Sequence, residues 1–187
     1  MLSGNAQGTA TVTLNVYKDG YSGAMKSFDV RVIPAGVGWE ADLTDLTNWK
    51  AGYVGNDGGI QVSPVNGGMD GVRLTVTPKA NPIWQPFYTH VKVNLDETSL
   101  LQINVLEAKG NWTVKVGTPE METEAALKPE DSSKGVLTFD LKQVPALKDW
   151  KGEKEFTVSI YLIGVDSSIL LKSLRFGNDN INQPLTQ

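Results

Sequence analysis

The chain of 187 residues has no cysteine and one histidine, His90. Without thiols there is no disulfide, thiolate nucleophile or zinc–thiolate site. One histidine excludes a multi-histidine metal site and leaves Ser-His-Asp chemistry only one base. Positive charge is also scarce. Seventeen Lys and Arg against 21 Asp and Glu give a net charge of -4, short of the basic face that binds nucleic-acid phosphates. No apolar run approaches the ~18 residues of a membrane span. The opening MLSGNAQGTATVTLNV has neither the basic nor the apolar region of a signal peptide, and is expected to begin a piece of a longer exported protein.

What remains is a composition able to build a core, 40% hydrophobic and 20% charged, with period-2 alternation nearly throughout. Residues 10–16 (ATVTLNV) and 26–33 (KSFDVRVI) read as one long hairpin, and IPAGVG at 33–38 as a linker. Eight further strands are predicted at 59–63, 72–77, 87–95, 101–106, 112–116, 136–141, 156–163 and 169–176. NGGMDG, LDETS, EAKGN and KGEK supply turns between them. Two stretches, 43–58 and 117–135, read as irregular insertions, the second with a short helix candidate at 119–127. Many short strands with Gly/Asn/Asp turns predict an all-β fold, a jelly-roll β-sandwich over 36–187 preceded by a β-hairpin over 1–35.

Alternation also sorts the faces. Val72, Leu74 and Val76 point to the core, as do Leu101, Ile103 and Val105, then Trp112, Val114 and Val116, then Phe156, Val158, Ile160 and Leu162. Gln102 and Asn104, and Thr157, Ser159 and Tyr161, take the wetter sides. The same rule divides KANPIWQPFYTHVKVN at 79–94. Phe87, Thr89, Val91, Val93 and Leu95 belong to the core, whereas Tyr88, His90 and Lys92 face water. Proline favours extended backbone in itself and in its predecessor, so Trp84, before Gln85 and Pro86, joins the wet row.

Two resemblances are visible. GTATVTLNV and KSFDVRVIP resemble the last hairpin of a bacterial immunoglobulin-like repeat. From DLTNWKAG through GVRLTVTP, NPIWQPFYTHVKVNLDETSLLQINV, GNWTVKV and the paired segments up to LKSLRFG, the chain resembles galactose-binding-like jelly-roll modules of bacterial polysaccharide-degrading proteins. That resemblance implies a non-catalytic, carbohydrate-binding-module-like accessory domain. It would be secreted, periplasmic or on the cell surface, with neighbouring domains in a longer parent chain. It also implies a possible structural calcium ion and no other cofactor. Residues 56–59 (NDGG), Asp70, Glu40 and Asp42 offer oxygens, without the spacing of an EF-hand loop.

The candidate carbohydrate-binding residues are Trp84 and Tyr88, then Tyr53 in a loop and His90, with Lys92 and Gln85 to bond hydroxyls. A pyranose presents an apolar C–H face and a polar rim, which suits Trp and Tyr. Against this stands a plain structural role, with Trp84 capping the sandwich and the domain acting as a spacer without a ligand. Catalysis finds no support: His90 has Tyr88 and Lys92 at i±2, and there is no G-x-S-x-G elbow. The acidic run at 119–131 offers no identifiable acid–base pair.

Overall fold

The structure is a computed structural model and describes residues 8–18, 21–32, 36–52, 59–117, 125–127 and 134–178. Its strands are β1 (Gly8–Lys18), β2 (Tyr21–Val32), β3 (Val37–Glu40), β4 (Trp49–Ala51), β5 (Ile60–Pro64), β6 (Val72–Val76), β7 (Trp84–Asn94), β8 (Leu100–Gly117), β9 (Ala125–Leu127), β10 (Gly135–Asp140) and β11 (Glu153–Gly177). All pairings are antiparallel. The described residues contain no α-helix, and none of their helices is long and apolar enough to cross a membrane.

β1 and β2 form their own two-stranded sheet, with Thr13 opposite Ser27 and their hydroxyls 2.9 Å apart. The other nine strands form one hydrogen-bonded network around β8 and β11. Phe156 and Phe176, twenty residues apart on β11, would be roughly 65 Å apart on a straight strand. Their rings instead lie 6.2 Å apart. The β8–β11 ribbon therefore folds over on itself and makes both layers of a sandwich. The front layer runs β4, β7, first half of β11, second half of β8, β9. The back layer runs β5, β6, second half of β11, first half of β8, β10, with β3 following β6 along the same edge of β11.

The bend has a visible cause. Ile163 pairs with Asn111 and Ser168 with Lys109, so Gly164 to Ser167 stand opposite Gly110 alone. Gly164, Asp166 and Gly110 all have positive φ, at 90°, 63° and 73°. Ser167 Oγ donates to the Ile163 carbonyl at 2.6 Å, and the Gly164 amide to the Ile83 carbonyl at 2.9 Å. The segment EAKGN is thus no hairpin turn, as the sequence suggested, but the fold-over point of one continuous strand.

Between the layers lies one core, and the predicted inward faces are there. Val72, Leu74, Leu101, Ile103, Val114, Phe156, Ile160 and Leu162 are fully buried, and Trp112 nearly so. Trp49 stacks on Phe87 at 4.4 Å and 9°, Trp39 meets Phe176 edge-on at 6.1 Å, and Trp150 lies 5.0 Å from Phe156. Three short strands fall in segments read as linker or insertion: β3, β4 and β9. The helix candidate at 119–127 is corrected where it is described: Ala125–Leu127 is extended and pairs with Val114–Val116.

A Cβ at residue 110 would collide with Ser167 Oγ in addition to adopting a left-handed φ. Gly110→Val is expected to lower unfolding free energy by about 2–4 kcal/mol. Gly67→Ala, at φ 63° with open space around it, is expected to cost about 1 kcal/mol. Urea denaturation of both variants checks the contrast.

Candidate functional site

The outer face of the front layer is built from cross-strand rows. Lys50 on β4 stands beside Tyr88, which pairs with Ser159, which pairs with Lys115. The flanking rows are Pro86–Tyr161–Thr113 and His90–Thr157–Gly117. At the bend end of the layer Trp84 pairs with Ile163. Trp84 is 54% exposed, Tyr88 is half-buried and His90 is exposed. Trp84 and Tyr88 share a strand face roughly 13 Å apart along β7, more than one sugar ring apart.

Contacts hold this face in place. His90 Nδ1 lies 3.0 Å from Thr157 Oγ1, and its ring meets Tyr88 edge-on at 6.0 Å. Lys50 Nζ is 5.9 Å from the Tyr88 centroid, and Lys115 Nζ only 4.1 Å from that of Tyr161. Tyr161, Ser159 and Thr157 are buried although they point outward, which corrects the expectation of a wet row there. They lie on a central strand between β7 and β8, where His90 bonds to Thr157 and Lys115 lies over Tyr161. Lys92 forms an exposed ion pair with Glu153 at 2.7 Å, and that hydrogen bond and charge raise its pKa.

Gln85 requires a correction. It is fully buried, with the parity of Phe87, and its Nε2 donates to the Pro82 carbonyl. Its Oε1 is buried without a hydrogen-bond partner, so it does not reach the wet face. Tyr53 lies outside the described residues, as do 56–58 of the suggested calcium donors. Of the others, Asp42 accepts from the Thr44 amide at 3.0 Å and hydroxyl at 2.6 Å, and Asp70 lies 3.7 Å from Lys172 Nζ. No three His, Asp or Glu among the described residues gather as a metal site would require.

Two clefts lie away from Trp84 and Tyr88. One of about 230 Å³ opens beside His90 and is lined by Trp39, Trp49, Glu40, Asp42 and Asp45. Hydrogen bonds from the Thr47 amide and hydroxyl hold Asp45 below the ordinary carboxylate range, the opposite of what a glycosidase acid needs. The other cleft, of about 400 Å³, lies on the back layer around Gln102 and Arg175. Alternation already placed Gln102 and Asn104 on that outer face. Their partners across the sheet depend on strand order, which the sequence does not reveal.

No family model matches the chain, and no curated protein matches it. Solved structures resemble it distantly. A carbohydrate-binding module of the β-sandwich superfamily, from work on promiscuous specificity, shares 12% identity over 92% of this chain and 75% of its own, with a TM-score of 0.44. TmCBM61, solved with β-1,4-galactotriose, shares 12% identity over 72% of this chain and 92% of its own, at 0.42. TmCBM27, a mannan-recognising module, shares 15% identity over 75% and 95%, at 0.36. Similarity of this degree leaves the ligand to be argued from this chain's own side chains.

Replacing Gln85 by Met keeps its volume and removes a buried acceptor that has no partner, at the loss of one hydrogen bond. Gln85→Met is expected to unfold within about 1 kcal/mol of the parent and to retain any glycan binding in full. Thermal unfolding and affinity electrophoresis on the same samples check both.

Proposed function

We propose that this chain is a non-catalytic carbohydrate-binding module that takes a polysaccharide or oligosaccharide on the outer face of its front layer. Trp84 carries the reading. A large aromatic more than half exposed on a sheet face leaves apolar area in water, which the C–H face of a sugar would cover. Tyr88 offers a second ring further along the strand, and His90 a polar rim held by Thr157.

Magnitudes indicate weak binding. Covering about 100 Å² of apolar surface contributes roughly 2.5 kcal/mol, while association costs several kcal/mol. Two rings with a few hydrogen bonds therefore suit a Kd on the order of 0.1 mM. Such affinity fits a module that concentrates a parent protein on a polymer, and an exported bacterial glycan-processing protein is the setting we infer.

A spacer without a ligand is the second reading, favoured by the separate β1–β2 sheet. A lone two-stranded hairpin is marginal in water, and Leu14 and Met25 on this one are exposed. It is what the closing hairpin of a preceding immunoglobulin-like domain would contribute.

Affinity electrophoresis through gels containing galactan, mannan, xylan or β-glucan separates the two. Retardation on at least one polymer is expected, lost with Trp84→Ala by on the order of 50-fold in Kd and with Tyr88→Ala to a smaller extent, with unfolding midpoints of the variants near the parent's. Free migration of the parent in every gel would establish the spacer. Hydrolysis of any of these polymers would overturn the non-catalytic assignment.

A further inference from the structure

The outer face of the back layer carries a polar row of its own. Register places Thr138 of β10, Gln102 of β8, Arg175 of β11 and Glu40 of β3 side by side across four strands. Gln102 is 2% exposed and held from both sides. Arg175 donates to its Oε1 through Nε at 2.7 Å and also through Nη2, while its own Nε2 donates to Thr138 Oγ1 at 3.2 Å. In the next row Val136, Asn104 and Ser173 stand together. Apart from Thr138, which supports Gln102 from the side, these residues line the cleft of about 400 Å³, within the size range of small-ligand sites.

We propose that this cleft is a second glycan site, separate from the front face, and that it takes a neutral oligosaccharide. Charge decides the ligand class. Arg175 and Lys172 oppose cations, Glu40 and Asp42 oppose anions, and all four line the same cleft. A sugar hydroxyl both donates and accepts, so vicinal hydroxyls can meet a carboxylate and an amide or guanidinium together. Met69 and Val136, 64% and 57% exposed, give the cleft an apolar rim for C–H surface. The orientation of Gln102 is set before any ligand arrives, which lowers the ordering cost of binding.

The full chain carrying Trp84→Ala and Tyr88→Ala, labelled with nitrogen-15, isolates the second site from the first. Gluco-, galacto-, manno- and xylo-trioses are titrated to millimolar concentration, with trigalacturonate as the acidic comparison. At least one neutral trisaccharide is expected to shift the side-chain amide signals of Gln102 and Asn104 and the Arg175 Nε–H signal. Trigalacturonate should leave them in place, and Asn104→Ala should weaken the effect about tenfold. If no neutral trisaccharide moves these signals, or trigalacturonate moves them equally, the second site is refuted whatever the front face does. If they move while the parent's gel retardation is insensitive to Trp84→Ala, the front-face reading fails and this one stands.

Discussion

Backbone pairing between β8 and β11 is the constraint on which the rest of the structure depends. Each strand serves both layers, and their register runs from Gly117 opposite Thr157 to Leu100 opposite Gly177 with irregularities only near the bend and at Leu170 to Ser173. Every other strand of the sandwich attaches to this ribbon directly, or through β6 or β7. The fold-over brings Phe156 onto Phe176 and closes the core between two halves of the same strands. The left-handed residues at the bend are therefore structural. They let a paired ribbon reverse without leaving buried amides unpaired.

The faces were legible in the sequence because period 2 is a local property. Phe87, Thr89, Val91, Val93 and Leu95 are all buried, and Trp84, Tyr88, His90 and Lys92 all lie on the other side. The same rule, carried through Pro86, would have excluded Gln85, which shares the parity of Phe87. What could not be read was continuity. From Val105 to Trp112 and from Leu162 to Ile169 the buried residues slip by an odd number, so the alternation breaks and each long strand looks like two. The cause is the bend, where two chain segments remote in sequence must give way together. β3, β4 and β9, only three or four residues long, are too short to show a period and exist because a longer strand edge templates them.

Burial of Thr157, Ser159 and Tyr161 on an outward face follows from the same architecture. The first half of β11 is flanked by β7 on one side and β8 on the other. His90 of β7 bonds to the Thr157 hydroxyl, and the Lys115 ammonium of β8 lies over the Tyr161 ring. The cost of burying the Thr157 hydroxyl is offset by its hydrogen bond with His90. That bond also explains the lone histidine better than catalysis does: it ties the rim of the face to the sheet's central strand and fixes the ring beside Tyr88.

The two layers treat their outer faces differently, and the difference bears on how a ligand would be held. On the front, aromatic rings stand over a floor of small polar groups, and apolar contact with a sugar face would dominate. On the back, planar amide and guanidinium groups are locked edge to edge by Gln102, Arg175 and Thr138, and directed hydrogen bonds would dominate. Apolar stacking tolerates rotation of the sugar, whereas a fixed row of donors and acceptors discriminates among hydroxyl orientations, because a mismatched hydroxyl leaves a buried group unpaired. If both faces take glycans as proposed, the front would be the tolerant one and the back cleft the selective one. The folded β8–β11 ribbon keeps the two on opposite sides of one core.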